Sequence, residues 1–402
     1  MSRRAVITGL GVVAPTGIGV VEHWENSLSG RPGIGPIASF DAGGSPIRWA
    51  GQVPDFDEKA FVDGKLLVQT DRWTWFAFAA AQLALADAAL DPSLADPFEL
   101  SVVTASASGG NAFGQREIQA LWSQGSRAVS AYQSIGWFYA ASSGQLSIRH
   151  QLKGACGVLV ADAAGGVDAL AEAARLIRRG TGAVVTGGTE APLSPYALAC
   201  QASEATVSRD GRYRPFSPDA AGYVPGEGGA ILVVEERERA LERGAPTVYA
   251  EIAGTSSTHD AHHVTDPAPG HRQYARAMRE AVARAGLTPA DIGVVFADGA
   301  GDPVRDRQEA AAIEEVFGPG RVPVTVPKTM TGRLYSGGAA LDLAWAALAL
   351  ADGVLPPTVG VEGDVPGLDL VRQARTVDGL SAALVLARGA GGFNSAAVLT
   401  KV

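Results

Sequence analysis

Short apolar runs alternate along the chain with longer stretches of helical periodicity. The runs Ala5–Thr8, Ser101–Ala105, Val158–Ala161, Ala183–Thr186, Ala230–Glu235, Val248–Ala253, Gly293–Ala297, Val322–Val326, Ala382–Ala387 and Ala396–Thr400 predict strands. The stretches Asp71–Ala89, Asn111–Gln124, Gly166–Arg178, Arg272–Arg284, Val304–Phe317 and Leu334–Ala351 predict helices. Alternation of this kind predicts an α/β fold with a largely parallel sheet. The pattern also repeats. Val158–Ala161, a glycine-bearing turn and the helix Gly166–Arg178 are echoed by Val322–Val326, a second such turn and Leu334–Ala351. Both helices carry small or apolar residues on nearly every face, so they must be buried. Two buried helices between two sheets predict a five-layer αβαβα sandwich made of two duplicated halves. No proline- or serine-rich linker parts them, and the boundary is placed at 1–244 and 245–402.

Composition narrows the function. Of 402 residues 47% are hydrophobic and 19% charged, which excludes whole-chain disorder. Lys plus Arg number 33 against 42 Asp plus Glu, a net charge of -9 that argues against a general nucleic-acid binder. Two cysteines, Cys156 and Cys200, are too few for a disulfide framework or a cysteine metal site and fit a reducing compartment. The N-terminus enters a strand pattern without the apolar stretch of a signal peptide. The most apolar segments, Trp75–Leu90 and Leu341–Leu350, are broken by Gln82, Asp87 and Asp342, so neither spans a membrane. A soluble, cytoplasmic protein is expected.

Four segments carry candidate chemistry. Gly9-Leu10-Gly11-Val12-Val13-Ala14 follows a strand as a dinucleotide-binding turn would, but Pro15-Thr16-Gly17 breaks the helix that should hold the pyrophosphate. A structural turn is the better reading. His259, His262 and His263 fall together in a loop, without a carboxylate at fixed helical spacing, and read as a cleft lining or surface loop rather than a metal site. Gly389–Ser395 reads equally as a tight turn and as a loop at a site. Val160–Gly166 is a sharp strand-to-helix turn, its tip at the positive end of a buried helix where a cysteine would be acidified and nucleophilic. The residue offered there is alanine.

Taken together, these residues resemble the thiolase-like β-ketoacyl synthase family, and within it the chain length factors, or ketosynthase β subunits, of bacterial type II polyketide synthases. The resemblance covers nearly the whole chain. It rests on Val6–Pro15, on Arg214-Pro215-Phe216 through Gly226-Glu227-Gly228-Gly229, on Val326–Arg333 and on Gly391–Ser395. Catalytic members use a cysteine that takes the acyl chain as a thioester and two histidines that assist decarboxylation and condensation. By motif, the resemblance places the cysteine position on Ala163, the histidine positions on Asp298 and Arg333, and the gating phenylalanine on Arg388; the family lysine is kept as Lys328. Alanine forms no thioester, an aspartate repels an oxyanion, and arginine exchanges no proton at neutral pH. The chain is therefore expected not to condense on its own, and Asp298, Arg333 and Lys328 are expected to cluster as an ion-paired group.

The resemblance implies a heterodimer with a catalytic ketosynthase α subunit through the edge strand near Cys156–Val160, and an acyl carrier protein that docks mainly on that partner. It implies no cofactor and no metal. The helix Asn111–Trp122 resembles a tunnel-wall segment, with Asn111, Gly114, Gln115 and Ile118 as candidates for setting polyketide length. Trp137-Phe138-Tyr139 could line the tunnel, pack at the interface or sit in the core. Two alternatives remain: a malonyl-carrier-protein decarboxylase using Lys328 and Arg333 electrostatically, and a metal-dependent hydrolase built on the three clustered histidines. Ala163 weakens the first, since many chain length factors resemble one another in carrying glutamine there.

Overall fold

The structure, a computed structural model, describes residues 3–203, 206–266 and 268–402. Its first five long strands are Ala5–Ala14, Leu100–Ala105, Cys156–Leu159, Ala183–Glu190 and Gly228–Glu236. They lie side by side in the order third, second, fourth, fifth, first. The strands Ala250–His259, Val294–Phe296, Pro323–Thr325, Ala382–Gly389 and Phe393–Thr400 repeat that order. The duplication read from two segments therefore extends to the whole topology. The two halves are not separate sheets: Val6 pairs with Glu251 and Ile7 with Ala250, joining them into one continuous path.

Between the halves lie the helices Gly165–Arg179 and Tyr335–Asp352, which touch each other and strands of both halves. Outside, Arg72–Asp87 and Ala141–His150 cover the first half, and Arg272–Arg284 with Pro303–Phe317 cover the second. This is the five-layer sandwich. Every residue from Ser336 to Leu350 is buried, as the all-apolar pattern requires. The helix Gly165–Arg179 corrects that expectation, because its C-terminal turns reach solvent and present Arg175, Arg178 and Arg179 there.

The first glycine-rich segment is also corrected. Gly9 to Ala14 form no turn; they continue the strand Ala5–Ala14. Their glycines answer a packing demand. A Cβ on Gly11 would lie 1.8 Å from the Ala80 carbonyl oxygen and 2.6 Å from the Ala84 nitrogen of the overlying helix. Backbone on both sides cannot yield cheaply. Gly11→Ala is expected to destabilise by about 3 kcal/mol, the upper end of overpacking costs. Chemical denaturation checks this, and an unchanged midpoint would mean that the helix is not seated as described.

Candidate functional site

The strand Cys156–Leu159 ends in a turn that delivers Ala163 to the head of the helix Gly165–Arg179. Asp162 takes φ 48°, a left-handed conformation uncommon for a non-glycine residue, and Ala161 bridges to Ala163 across it. Asp162 is held by the Ala390 N–H, which donates to its Oδ2 at 2.7 Å. Behind the turn the two central helices meet backbone to backbone. A Cβ on Gly166 would sit 2.5 Å from both the Ser336 oxygen and the Ala340 nitrogen. The fold thus aims a helix N-terminus at a buried methyl group, and the helix field there has no group to activate.

Asp298 follows the strand Val294–Phe296, and Arg333 precedes the helix Tyr335–Asp352. Their side chains form a two-pronged ion pair: Arg333 Nη1 donates to Asp298 Oδ2 and Nη2 to Oδ1, each at 3.0 Å. Nη1 also donates to the Asp298 carbonyl at 3.0 Å, and Nη2 to that of Arg388 at 3.4 Å. Burial pushes the Asp298 carboxyl up, but Arg333 and then Lys328 outweigh it, so it lies below the usual carboxylate range. An anion held this way repels a developing oxyanion, and the guanidinium's forward donors are already committed.

Lys328 departs from the expected cluster. Its Nζ donates to the carbonyls of Ala297 and Asp298, at 3.2 and 3.1 Å, and not to the Asp298 carboxylate. Its charge partner is Asp342, 2.6 Å away on the central helix and fully buried. Burial raises the Asp342 carboxyl to about 6 despite the ammonium beside it. Sequence reasoning used Asp342 only as an interruption of an apolar run. A single charge inside an otherwise apolar buried helix was the available signal, since such a charge needs a partner.

Two further buried acids were missed. Glu309 accepts the N–H groups of Asp298 and Gly299, both at 2.8 Å, and the Tyr274 hydroxyl at 2.7 Å. Asp306 accepts those of Gly301 at 3.0 Å and Phe216 at 2.9 Å. Burial pushes Glu309 up, and Asp306 to about 8. Together they fix the loop that carries Asp298. Arg388 covers the mouth: its N–H donates to Asp298 Oδ1 at 3.2 Å, its guanidinium donates to Asn394 and Gln308, and Asp260 lies 3.7 Å away. Above Ala163, Arg333, Tyr335 and Arg388 remains a cleft of about 160 Å³; below, among Ala163, Asp298, Lys328 and Arg333, only about 10 Å³ is open. The pocket is filled by its own side chains.

The three clustered histidines do not converge. His259 packs edge-on against Phe393, and His263 Nδ1 faces Thr265 and Asp266. Among the described residues no group of three or more His, Cys, Asp or Glu side chains could hold a metal ion. Gly389–Ser395 spans the tip of a hairpin: residues 390–392 form the turn, with Gly391 and Gly392 at positive φ, and the flanking residues belong to the two paired strands.

The remaining candidates lie apart from this pocket on the helix Asn111–Gln124. Asn111, Gln115 and Ile118 share a stripe that ends half-exposed at Ile118. Asn111 Nδ2 donates to the Ser108 carbonyl, and Gln115 Oε1 accepts the Tyr196 N–H. Gly114 faces Trp137. It is buried, and a Cβ there would meet Trp137 Cδ1 at 2.9 Å, so bulk at this position acts first on Trp137. Trp137 and Phe138 are not core residues, since both are about half exposed. So are Val160 and Tyr196, while Trp122 is 83% exposed. The strand Cys156–Leu159 ends the sheet path and pairs only with Leu100–Ala105 among the described residues. No helix of the described residues is long and apolar enough to cross a membrane.

Comparison with known proteins bears on this arrangement. A family model for the beta-ketoacyl synthase N-terminal domain matches residues 2–240, and one for the C-terminal domain matches residues 249–362. The chain is 53% identical over 404 residues to the tetracenomycin polyketide synthase ketoacyl synthase beta subunit of Streptomyces glaucescens, with 98% of each chain covered. It is 49% identical over 406 residues to the actinorhodin polyketide putative beta-ketoacyl synthase 2 of Streptomyces coelicolor, again with 98% of each covered. Among solved structures, the ishigamide ketosynthase/chain length factor aligns at TM-score 0.94 and 27% identity over 100% of both chains. A type II polyketide synthase acyl-carrier protein in complex with its ketosynthase bound to the hexaketide aligns at 0.89 and 27%, also over 100% of both.

Proposed function

The chain belongs to the beta-ketoacyl synthase family, and we propose that within it the chain acts as a chain length factor in type II polyketide biosynthesis. In this role it performs no condensation itself. It pairs with a catalytic ketosynthase α subunit, which holds the growing chain on its cysteine and receives the acyl carrier protein. The helix Asn111–Gln124 supplies part of the far wall of the shared tunnel, with Asn111, Gln115 and Ile118, and Gly114 through its contact with Trp137, limiting chain length by steric exclusion.

The observation that carries this reading is the Asp298–Arg333 pair beneath Ala163: a site shaped for a nucleophile holds an ion pair and a methyl group instead. The exposed terminal strand and the aromatic patch around Trp137 support a partner on that side. The decarboxylase alternative loses its cations, since Arg333 is committed to Asp298 and Lys328 to Asp342.

The test uses the chain alone and with its ketosynthase partner, each supplied with malonyl-charged carrier protein. The isolated chain is expected to carry no acyl adduct and release no carbon dioxide, while the pair makes polyketide. In the pair, Ile118→Trp is expected to shorten the main product. Self-acylation of the isolated chain would overturn the non-catalytic role, and an unchanged product length would overturn the placement of the tunnel wall.

A further inference from the structure

Glu190 is the last residue of the strand Ala183–Glu190 and is completely buried. It ion-pairs with no cation among the described residues, yet its two oxygens receive four hydrogen bonds. Oε1 accepts the Ala107 N–H and the Ser336 hydroxyl, each at 2.5 Å. Oε2 accepts the Ser108 hydroxyl at 2.5 Å and the Ser108 N–H at 3.2 Å. These donors come from two places. Ser336 heads the central helix, next to Tyr335 of the cleft over Ala163. Ala107 and Ser108 belong to the loop that enters the helix Asn111–Gln124, and the Ser108 carbonyl in turn receives the Asn111 side chain. The neighbouring Asp71 takes the Phe113 N–H at 2.6 Å while its other oxygen caps the helix Arg72–Asp87.

We propose that Glu190 is a positioning residue for chain-length control, a buried anionic clamp that fixes the entry of the Asn111–Gln124 helix against the head of the central helix. The inference rests on the tunnel role of that helix. Four donors need an acceptor-only group. A glutamine of the same size must turn its NH2 toward either the Ala107 or the Ser108 N–H and leaves that donor unpaired.

Burial sets a pH dependence on the clamp, because it pushes Glu190 up to about 7. Charged and titratable groups on the elements packed around it include Tyr335 and Asp342 on the central helix, Asp168 in the first turn of the other central helix, and Asp71 and Arg72 at the head of an outer helix; of these Tyr335 interacts electrostatically with Glu190. Arg72 is paired with Glu227 and Lys328 with Asp342. A carboxyl whose value is raised on folding favours the fold as pH falls from about 7 toward 4.5. Acid should therefore loosen the loop locally without loss of global stability through this group.

The test is Glu190→Gln in the complex with the ketosynthase partner, supplied with malonyl-charged carrier protein. The ratio of the main product to other chain lengths is expected to change about fivefold while total malonyl consumption stays within about twofold. Between pH 8 and pH 6.8 the wild-type ratio should move toward that of the variant, and the variant's should stay flat. An unchanged ratio in the variant, or equal pH responses, overturns the proposal. Should the variant fail to fold or pair, hydrogen exchange on the wild-type complex decides. Protection of residues 106–113 is expected to fall about tenfold relative to the helix Tyr335–Asp352 over the same pH range. Constant protection would remove the clamp. This readout does not depend on the tunnel, so its failure is distinguishable from failure of the chain length reading, which the Ile118→Trp product tests alone.

Discussion

Lys328→Met is expected to destabilise the protein by about 3–5 kcal/mol, the cost of leaving one charge of a buried pair uncompensated. Lys328 and Asp342 are almost wholly withdrawn from water, with side chains 5% and 0% exposed. The Asp342 oxygens receive no well-directed hydrogen bond among the described residues, so the ammonium is their main compensation. Without it the carboxyl must stay ionised in an apolar helix or take up a proton. The sign with pH follows. Burial already raises Asp342 to about 6 from 3.8, and loss of the cation raises it further. A raised acid favours the fold below its folded value and loses that contribution as pH rises through it. The deficit of the variant should therefore be largest at pH 8, shrink as pH falls toward about 6, and change no further below it, where the carboxyl is protonated in both folded proteins. Lys328→Met combined with Asp342→Leu should recover most of the stability, because replacing both partners by apolar groups is often neutral. Chemical denaturation at the two pH values reads all three outcomes. An unchanged midpoint for the single variant would show that the pair carries no stability. Failure of the double variant to recover would place the role of Lys328 in its carbonyl contacts to Ala297 and Asp298 instead.

What the sequence carried was local periodicity and composition. The helix Tyr335–Asp352 was legible because small and apolar residues on every face leave no polar side to meet water. The nucleophile turn was legible because a β-branched run, a small-residue turn and a glycine pair fit one geometry, and Gly166 proves to be where the two central helices touch. What could not be read depends on partners distant in the chain. Gly9 and Gly11 follow a strand as a turn would, but the need for them comes from the backbone of a helix about seventy residues away. The partner of Lys328 is set by which residue of a distant helix faces it. Gly114 looks like open space in a sequence, and only packing shows that Trp137 occupies it. The join between the halves is two residue pairs long, too short for any periodic signal. The reading of Ala163, Asp298 and Arg333 as altered catalytic positions came from motif resemblance. Their joint meaning, a bidentate pair that closes the pocket, belongs to the structure.

Val160→Asp is expected to weaken association with the ketosynthase partner by a factor of about 100 or more, since each tenfold corresponds to about 1.4 kcal/mol and an unpaired charge buried at an interface costs several. Val160 stands at the end of the strand Cys156–Leu159 and is 51% exposed in the isolated chain, so the fold itself should tolerate the change. The outer edge of that strand is unpaired among the described residues and forms one end of the sheet path. An unpaired, largely apolar edge is a template for a second strand, and this one carries no charged residue or proline to discourage pairing. Association and stability therefore separate at this position. The variant should unfold at the wild-type midpoint, elute alone where the wild-type chain elutes with its partner, and yield polyketide only at concentrations high enough to restore the pair. Because Ala163 offers no nucleophile at the head of the central helix, product should fall in proportion to complex. Normal co-elution with normal product would place the partner on another face of the molecule. Loss of product with the complex intact would mean that Val160 borders the tunnel rather than the seam between subunits.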